Sequence, residues 1–422
     1  MQNGKPTILM MSDCPALHTG QAVVLREVAL GLHNTGKYNI VVAAWGYNGF
    51  PHNFPFTMIP ASARDFGRTG FPEAGIPGIE QIIEMVKPEV LWTIGDCWMV
   101  NYIADLKNRK NFKWVAYTPV DGTPVMDYWL PWLKNMDQLV MESQYGVDEV
   151  IKAGLGETPF IYHGCNIENF KPLGIEAKKE IKQNISWVGI RDRNNLFVGK
   201  GLPEDAFIVG TVARNQPRKN FDKILKSFKI FAEDKPNARL WLHTAPVDQG
   251  YNIPQLAEVM GIKDKVLFTP NYSIANGLSE KDLNVLMNIF DVHLLPTQGE
   301  GFGIPILETM AAGIPQVVTD YTSHVEFAKF GGLMIPVTDH DDFITGMPHP
   351  VERAIPKPTE TAKLIQQLHD DADLRDKLSK GARAKAETMT WAATIPQWDK
   401  IMTNVINGQA KTNIASVEVM KF

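Results

Sequence analysis

Cysteine is scarce in this chain, with three residues in 422, Cys14, Cys97 and Cys165, set far apart. An odd, scattered set cannot build a disulfide framework, which excludes the small secreted scaffolds and fits a reducing compartment. Long apolar runs are missing as well. The longest are strand-sized, far below the ~18 residues that a membrane span requires, and the first residues lack a charged-then-apolar leader pattern. No repeat or low-complexity tract interrupts the sequence. Neither sign of charge dominates, with 42 Lys and Arg against 47 Asp and Glu for a net charge of −5. That balance gives no strong nucleic-acid or membrane signal. These absences together lead to the expectation of a cytoplasmic protein. What is there, 44% hydrophobic and 21% charged residues, is ordinary globular composition. The length exceeds one common core, so two domains of roughly 150 to 200 residues are expected.

Short apolar runs alternate with helical patterns along the chain. "TILMMSD", "NIVVAAW", "EVLWTIGD", "FKWVAYTPV" and "QLVMES" read as strands. "AVVLREVALGLHNTG" and "QYGVDEVIKAG" carry apolar residues at helical spacing and end on glycine,. After a polar stretch near residues 174–203, a second series begins with "AFIVGTVA" and continues through "ARLWLHTA", "KVLFTPNY", "DVHLLPT", "PQVVTD" and "GLMIPV". Beyond Pro356 the pattern is helical to the end. Alternation of this kind predicts parallel, doubly wound sheets, whose ligands bind beyond the carboxyl ends of the strands.

Two stretches carry chemistry. "DVHLLPT" runs into "QGEGFG" and then a helix, with Pro305 near its start and Gly313 as its stop,. Glycines let the backbone approach a ligand, and a helix amino terminus favours an anion such as phosphate. Carboxylates beside an anion site suit hydroxyl groups instead. Glu300 in the loop could take sugar hydroxyls, and Glu308, a turn into the helix, those of a ribose. A phosphate between two polyhydroxyl rings describes a nucleotide sugar. In "VARNQPRKNF", Arg214 and Lys219 stand between a strand and a helix, where they could neutralise a diphosphate. Taken singly, each stretch is also compatible with a plain turn or a solvated basic loop.

Together, "ARNQPRKNFDKIL" and "GEGFGIPILETMAAGIPQVVTD" resemble the carboxy-terminal domain of retaining GT-B glycosyltransferases of family four, the glycosyl transferases group 1. "YHGCNIENFKP" is similar to that family's linker, "DCPALHTGQAVVLREVALGL" to its first glycine loop and helix, and "MTWAATIPQWDKIM" to its closing segment. The resemblance implies an α/β GT-B fold with two Rossmann-like doubly wound domains facing across a cleft. Residues 1–172 would form an acceptor domain, 173–390 a nucleotide-sugar donor domain, and 391–422 a helical segment crossing back. It implies a metal-independent hexosyl- or pentosyltransferase with no cofactor, the nucleotide sugar serving as co-substrate.

Residue by residue, the resemblance puts Arg214, Lys219 and Glu300 in catalytic positions. Gly20, Glu308 and the loop residues Gly301, Phe302 and Gly303 fall on the donor. Many members place a His at the end of the strand that here reads "WVAYTPVDG"; Thr118 and Pro119 occupy that region, and Asp121 is the nearest polar candidate, or else a turn residue before Gly122. His18 and Asp96 are acceptor-side candidates, with Asp96 alternatively a helix cap. "DHD" at 339–341 and "DAD" at 371–373 are the possible metal motifs and carry no further sign of a metal site. The acceptor is unknown, with glycans and small molecules ahead of a modified nucleic acid. A phosphorylase or epimerase of the same architecture, or a sugar-nucleotide-binding protein without catalysis, is the alternative.

Overall fold

In the computed structural model, residues 4–61, 78–192, 195–273, 276–338, 340–341 and 351–410 are described. The chain divides into two compact units, residues 1–164 with 391–422, and residues 165–390.

Unit one holds strands β1 Thr7–Asp13, β2 Asn39–Trp45, β3 Thr57–Ala61, β4 Val90–Ile94, β5 Lys113–Thr118 and β6 Gln138–Met141. They lie in the order β3-β2-β1-β4-β5-β6, and every neighbouring pair is parallel. A sheet covered on both faces buries nearly every side chain, which is why its strands appear as apolar runs rather than alternations. All but the last residue of β1 is buried. The strand that no apolar run announced is β3, a short edge strand containing Pro60, an edge being where a residue without an N–H is tolerated. Helix Gly20–Asn34 opens at Thr19, whose Oγ1 accepts the Ala22 N–H at 3.1 Å, and it turns Ala22, Leu25, Ala29 and Leu32 inward.

Unit two holds β7 Ser186–Asp192, β8 Asn195–Lys200, β9 Phe207–Val212, β10 Ala238–His243, β11 Val266–Phe268, β12 Val292–Leu295, β13 Gln316–Thr319 and β14 Gly332–Ile335. Their order is β14-β13-β12-β9-β10-β11-β7-β8. From β14 to β11 the pairs are parallel and repeat the doubly wound order of unit one. The polar stretch near 174–203 forms helix Ile175–Asn184 and the antiparallel hairpin β7–β8, which extends the sheet beyond β11. Trp187 fixes that hairpin by lying across Gly199, where an added Cβ would come within 2.3 Å of the indole. Lys178 ties the helix to the sheet through Asp291 at 2.8 Å.

Helices Pro358–Asp370 and Ala372–Glu387 follow, and Asp371 of the "DAD" run caps the second by accepting the Leu374 N–H at 2.8 Å. Asp339 of "DHD" lies outside the described residues, as do the side chains of its two neighbours. Among the described residues, no three His, Cys, Asp or Glu side chains gather as a metal site, and no helix is long and apolar enough to cross a membrane. All three cysteines are buried thiols.

The last described helix, Trp391–Ile406, packs in unit one. Trp398 is fully buried there, edge-on to Tyr117 at 4.8 Å and to Trp92 at 5.4 Å between ring centroids. Asp399 accepts from the Tyr38 hydroxyl at 2.8 Å and pairs with Lys37. Replacing Trp398 by Ala is therefore expected to cost about 3 to 5 kcal/mol, the range for deleting a buried aromatic ring. Urea unfolding of the full chain measures this, and a variant within about 1 kcal/mol of the parent would mean that the helix contributes little to the unit-one core.

Candidate active site

Strands β9 and β12 are parallel neighbours, with Val292 beside Val209 and His293 beside Gly210, so the chain leaves both at the same sheet edge. After β9 come Ala213 to Lys219, and after β12 come Pro296 to Gly303. The two loops are stitched together. Asn220, in a left-handed backbone conformation, donates its side-chain amide to the Pro296 carbonyl at 2.8 Å, and the Gln298 N–H donates to the Arg218 carbonyl at 2.8 Å. Gly303, at φ 100°, makes the sharp entry into helix Ile304–Ala311, and Gly313, at φ 75°, follows its end. Few residues other than glycine adopt such angles at low cost.

At the centre lies Glu300, 3% exposed. Lys219 Nζ bridges its carboxylate, 2.5 Å from Oε1 and 2.7 Å from Oε2, and Arg218 Nη1 donates to Oε2 at 3.0 Å and to the Gly299 carbonyl at 2.9 Å. Burial alone would raise the Glu300 carboxyl, but Lys219 and Arg218 beside it hold it well below the usual carboxylate range,. Its backbone is fixed separately, through the N–H donated to Thr322 Oγ1 at 2.9 Å and the carbonyl met by the Ser323 hydroxyl.

Arg214 does not join this cluster. Its Nε donates to Asp248 Oδ2 at 2.8 Å, and Nη2 reaches Oδ1 at 3.5 Å. Both cations expected on the diphosphate are thus held by carboxylates in this state, and Glu300, expected to face hydroxyls, faces cations. Phe302, placed on the donor by resemblance, turns its side chain into the core against Phe327 at 4.9 Å, leaving only its backbone for a ligand. Glu308 sits on the second turn of its helix, half-buried. Burial chiefly, then the nearby Glu308 and Glu280 carboxylates, push the Cys165 thiol well up.

In unit one, the expected residues stand after three adjacent parallel strands, β1, β4 and β5. His18 is exposed after β1, and its pKa is lowered by burial of part of the ring and by Arg26. Gly20 is the first residue of its helix. Asp96 occupies the N-cap position of helix Cys97–Val100 but makes no side-chain cap hydrogen bond, so capping does not account for it. Asp121 follows β5 and is half-buried. The next turn is held by Thr123, whose hydroxyl donates to the buried Glu149 at 2.6 Å.

Several site residues escaped the sequence reading. Arg218 adjoins Lys219 in the same basic run, so a signal was present. Asp248, Thr322 and Ser323 carry no local signal. Two buried histidines also went unassigned. His293 donates from Nδ1 to Gln316 at 2.7 Å while the Val212 N–H approaches its Nε2 at 3.4 Å, and His324 donates from Nε2 to the Thr319 carbonyl at 2.8 Å. Burial above all lowers both to about 4, so both are neutral at pH 7.

Residues 192–348 match the family described as Glycosyl transferases group 1. That match spans less than half of the chain and lies within unit two. A D-inositol 3-phosphate glycosyltransferase of Thermomonospora curvata is 29% identical over 229 residues, 50% of this chain and 48% of its own length, so the match spans about half of that curated relative. Among solved structures, the sucrose-phosphate synthase of Thermosynechococcus elongatus aligns over 96% of this chain and 100% of its own, with TM-score 0.73 and 17% identity. HepE from Anabaena, solved with UDP and glucose, aligns over 94% and 100%, with TM-score 0.68 and 16% identity. With the two doubly wound sheets, these likenesses make the fold of this chain GT-B, built of two Rossmann-like units.

The two buried histidines give the protein a testable pH dependence. Unfolded imidazoles take up protons near the ordinary value of about 6.5, whereas the folded ones resist until about 4. Their contribution is therefore complete above pH 6.5 and is lost as pH falls through 4, on the order of 3 kcal/mol each. Tm is expected to fall between pH 6.5 and 4, less steeply for His293→Gln; parallel slopes in the two proteins would remove His293 from the account.

Proposed function

We propose that this chain transfers a sugar from a nucleoside diphosphate sugar to an acceptor hydroxyl, with retention at the anomeric carbon and without a metal ion. The observation that carries this reading is the cluster of Lys219, Arg218 and Glu300 at the glycine loop, with Arg214 in the same loop after β9. Two cations lie against one buried carboxylate, leaving the cluster a surplus of one positive charge, next to a helix start that favours anions. The match of residues 192–348 to the glycosyl transferases group 1 supports the reaction class, and the UDP and glucose held by HepE make UDP-sugars the first donors to test.

Donor binding would be an exchange of anions. Phosphate oxygens would replace Asp248 on Arg214 and Glu300 on Lys219, so the cations would arrive positioned and already desolvated. Glu308 would accept ribose hydroxyls, and Glu300, relieved of Lys219, a hydroxyl of the transferred sugar. The bond from the anomeric carbon to the diphosphate oxygen breaks while the acceptor oxygen bonds on the same face, and the acceptor's proton passes to the departing phosphate. The fixed charges stabilise that leaving group, which is the effect that preorganised electrostatics supplies most strongly. On the acceptor side, His18 and Asp96 are the candidate hydroxyl partners, and Asp121 is the catalytic candidate near the transferred sugar. A hexose or pentose on the donor fits these roles equally.

Hydrolysis and transfer assays with UDP-, GDP- and ADP-sugars test the reading directly. Arg214 is half-exposed, so Arg214→Ala should fold with an unchanged Tm yet lose turnover by ~10²- to 10³-fold, as on removal of a charge-stabilising group. Near-parental turnover would exclude it from the diphosphate. Because two cations and a helix start supply the positive charge, turnover should also survive EDTA. Complete loss in chelator, restored by Mg²⁺ or Mn²⁺, would instead require a metal.

A further inference from the structure

We infer that Arg218 is a positioning residue that keeps hold of Glu300 when Lys219 turns to the donor diphosphate. The inference rests on the donor-binding reading above and adds a residue that the family resemblance left without a role.

The geometry is specific. Arg218 is anchored to the loop after β12 at both ends, its carbonyl accepting the Gln298 N–H at 2.8 Å and its guanidinium donating to the Gly299 carbonyl at 2.9 Å and to Glu300 Oε2 at 3.0 Å. Lys219 instead meets the carboxylate through Nζ at the end of a flexible four-carbon stem, bridging both oxygens,. One partner is therefore tied to the loop that carries Glu300, and the other can swing. Among the described residues these are the cations that meet Glu300.

A carboxylate as buried as Glu300 cannot be left without a cation. If Lys219 were its sole partner, each donor that captured the lysine would strand that charge, and much of the binding energy would be spent on it. With Arg218 in place, Glu300 keeps a charge-assisted hydrogen bond on Oε2 while Oε1 opens to accept a hydroxyl. A guanidinium suits the holding role because it does not deprotonate in proteins and its planar fork fixes direction. The Glu300 backbone is held separately by Thr322 and Ser323, so the hold of Arg218 on the carboxylate comes in addition to its contacts with the Gln298 and Gly299 backbone.

A double-mutant cycle read by calorimetric binding of UDP, GDP and ADP to the full chain tests this. Arg218→Gln is expected to weaken the nucleotide that the parent binds by roughly tenfold to a hundredfold, the scale of one charge-assisted hydrogen bond, with Arg218→Lys recovering a large part. In the Glu300→Gln background the same Arg218→Gln change is expected to alter affinity by less than about threefold, because no carboxylate remains to be held. A loss that persists undiminished in that background would mean that Arg218 meets the phosphate itself and would overturn the inference, as would parental affinity in Arg218→Gln. A Tm loss that Arg218→Lys fails to restore, with affinity per folded molecule unchanged, would reduce Arg218 to a structural staple and overturn it too. A parent chain that binds none of the three nucleotides would bring down the donor reading and this inference together.

Discussion

Lys219 and Glu300 are both buried, and opposite charges stay ionised in such a place only by staying in contact and by satisfying their remaining hydrogen-bond capacity. Much of the surrounding loop structure follows from that constraint. Arg218 fills a further site on the carboxylate, Thr322 and Ser323 hold the Glu300 backbone, and Asn220 takes the left-handed turn that sets Lys219 beneath the loop after β12. A buried ion pair is a weak source of stability, since desolvation consumes most of the Coulomb gain, while removing one partner costs about 3 to 5 kcal/mol. The arrangement is better understood as stored electrostatics. The charges are held close together and oriented by the fold before any ligand arrives, which is the form that preorganised electrostatics takes.

The neighbouring histidines belong to the same balance. His293 lies beneath the loops and His324 beside them, and each is held neutral by burial and by a hydrogen bond that fixes its tautomer. A second or third buried positive charge would weaken the discrimination between Glu300 and a phosphate as partners for Lys219. Neutral imidazoles fill the space, satisfy the Gln316 and Thr319 oxygens and leave the charge of the cluster to Lys219, Arg218 and Glu300.

Unit one repeats the same strand order around a different set of side chains. Three adjacent parallel strands deliver the loops of His18, Asp96 and Asp121 to one edge, over a core that the closing helix completes with Trp398. The side chains of those three residues are carboxylates and an imidazole, groups that suit hydroxyls rather than phosphates.

Much was legible from sequence because local physics writes it there. Parallel strands buried on both faces leave apolar runs such as "TILMMSD", and glycines and a proline mark the loop and helix of residues 299–313 because the backbone angles demand them. The hairpin β7–β8 was missed because its turn and its Trp187 packing produce no long apolar run, and β3 because an edge strand needs none. Arg214, Lys219, Glu300 and Glu308 were found as residue types at telling positions, yet their partners were not. Arg218 lies 82 residues from Glu300 and Asp248 lies 34 from Arg214. A pattern along the chain records what each residue does to its own backbone. The sequence by itself determined the alternation of strands and helices, the glycine loop and the set of charged groups. Only the tertiary structure decided which charges face each other, because that depends on β9 and β12 lying side by side and sending both loops to one edge of the sheet.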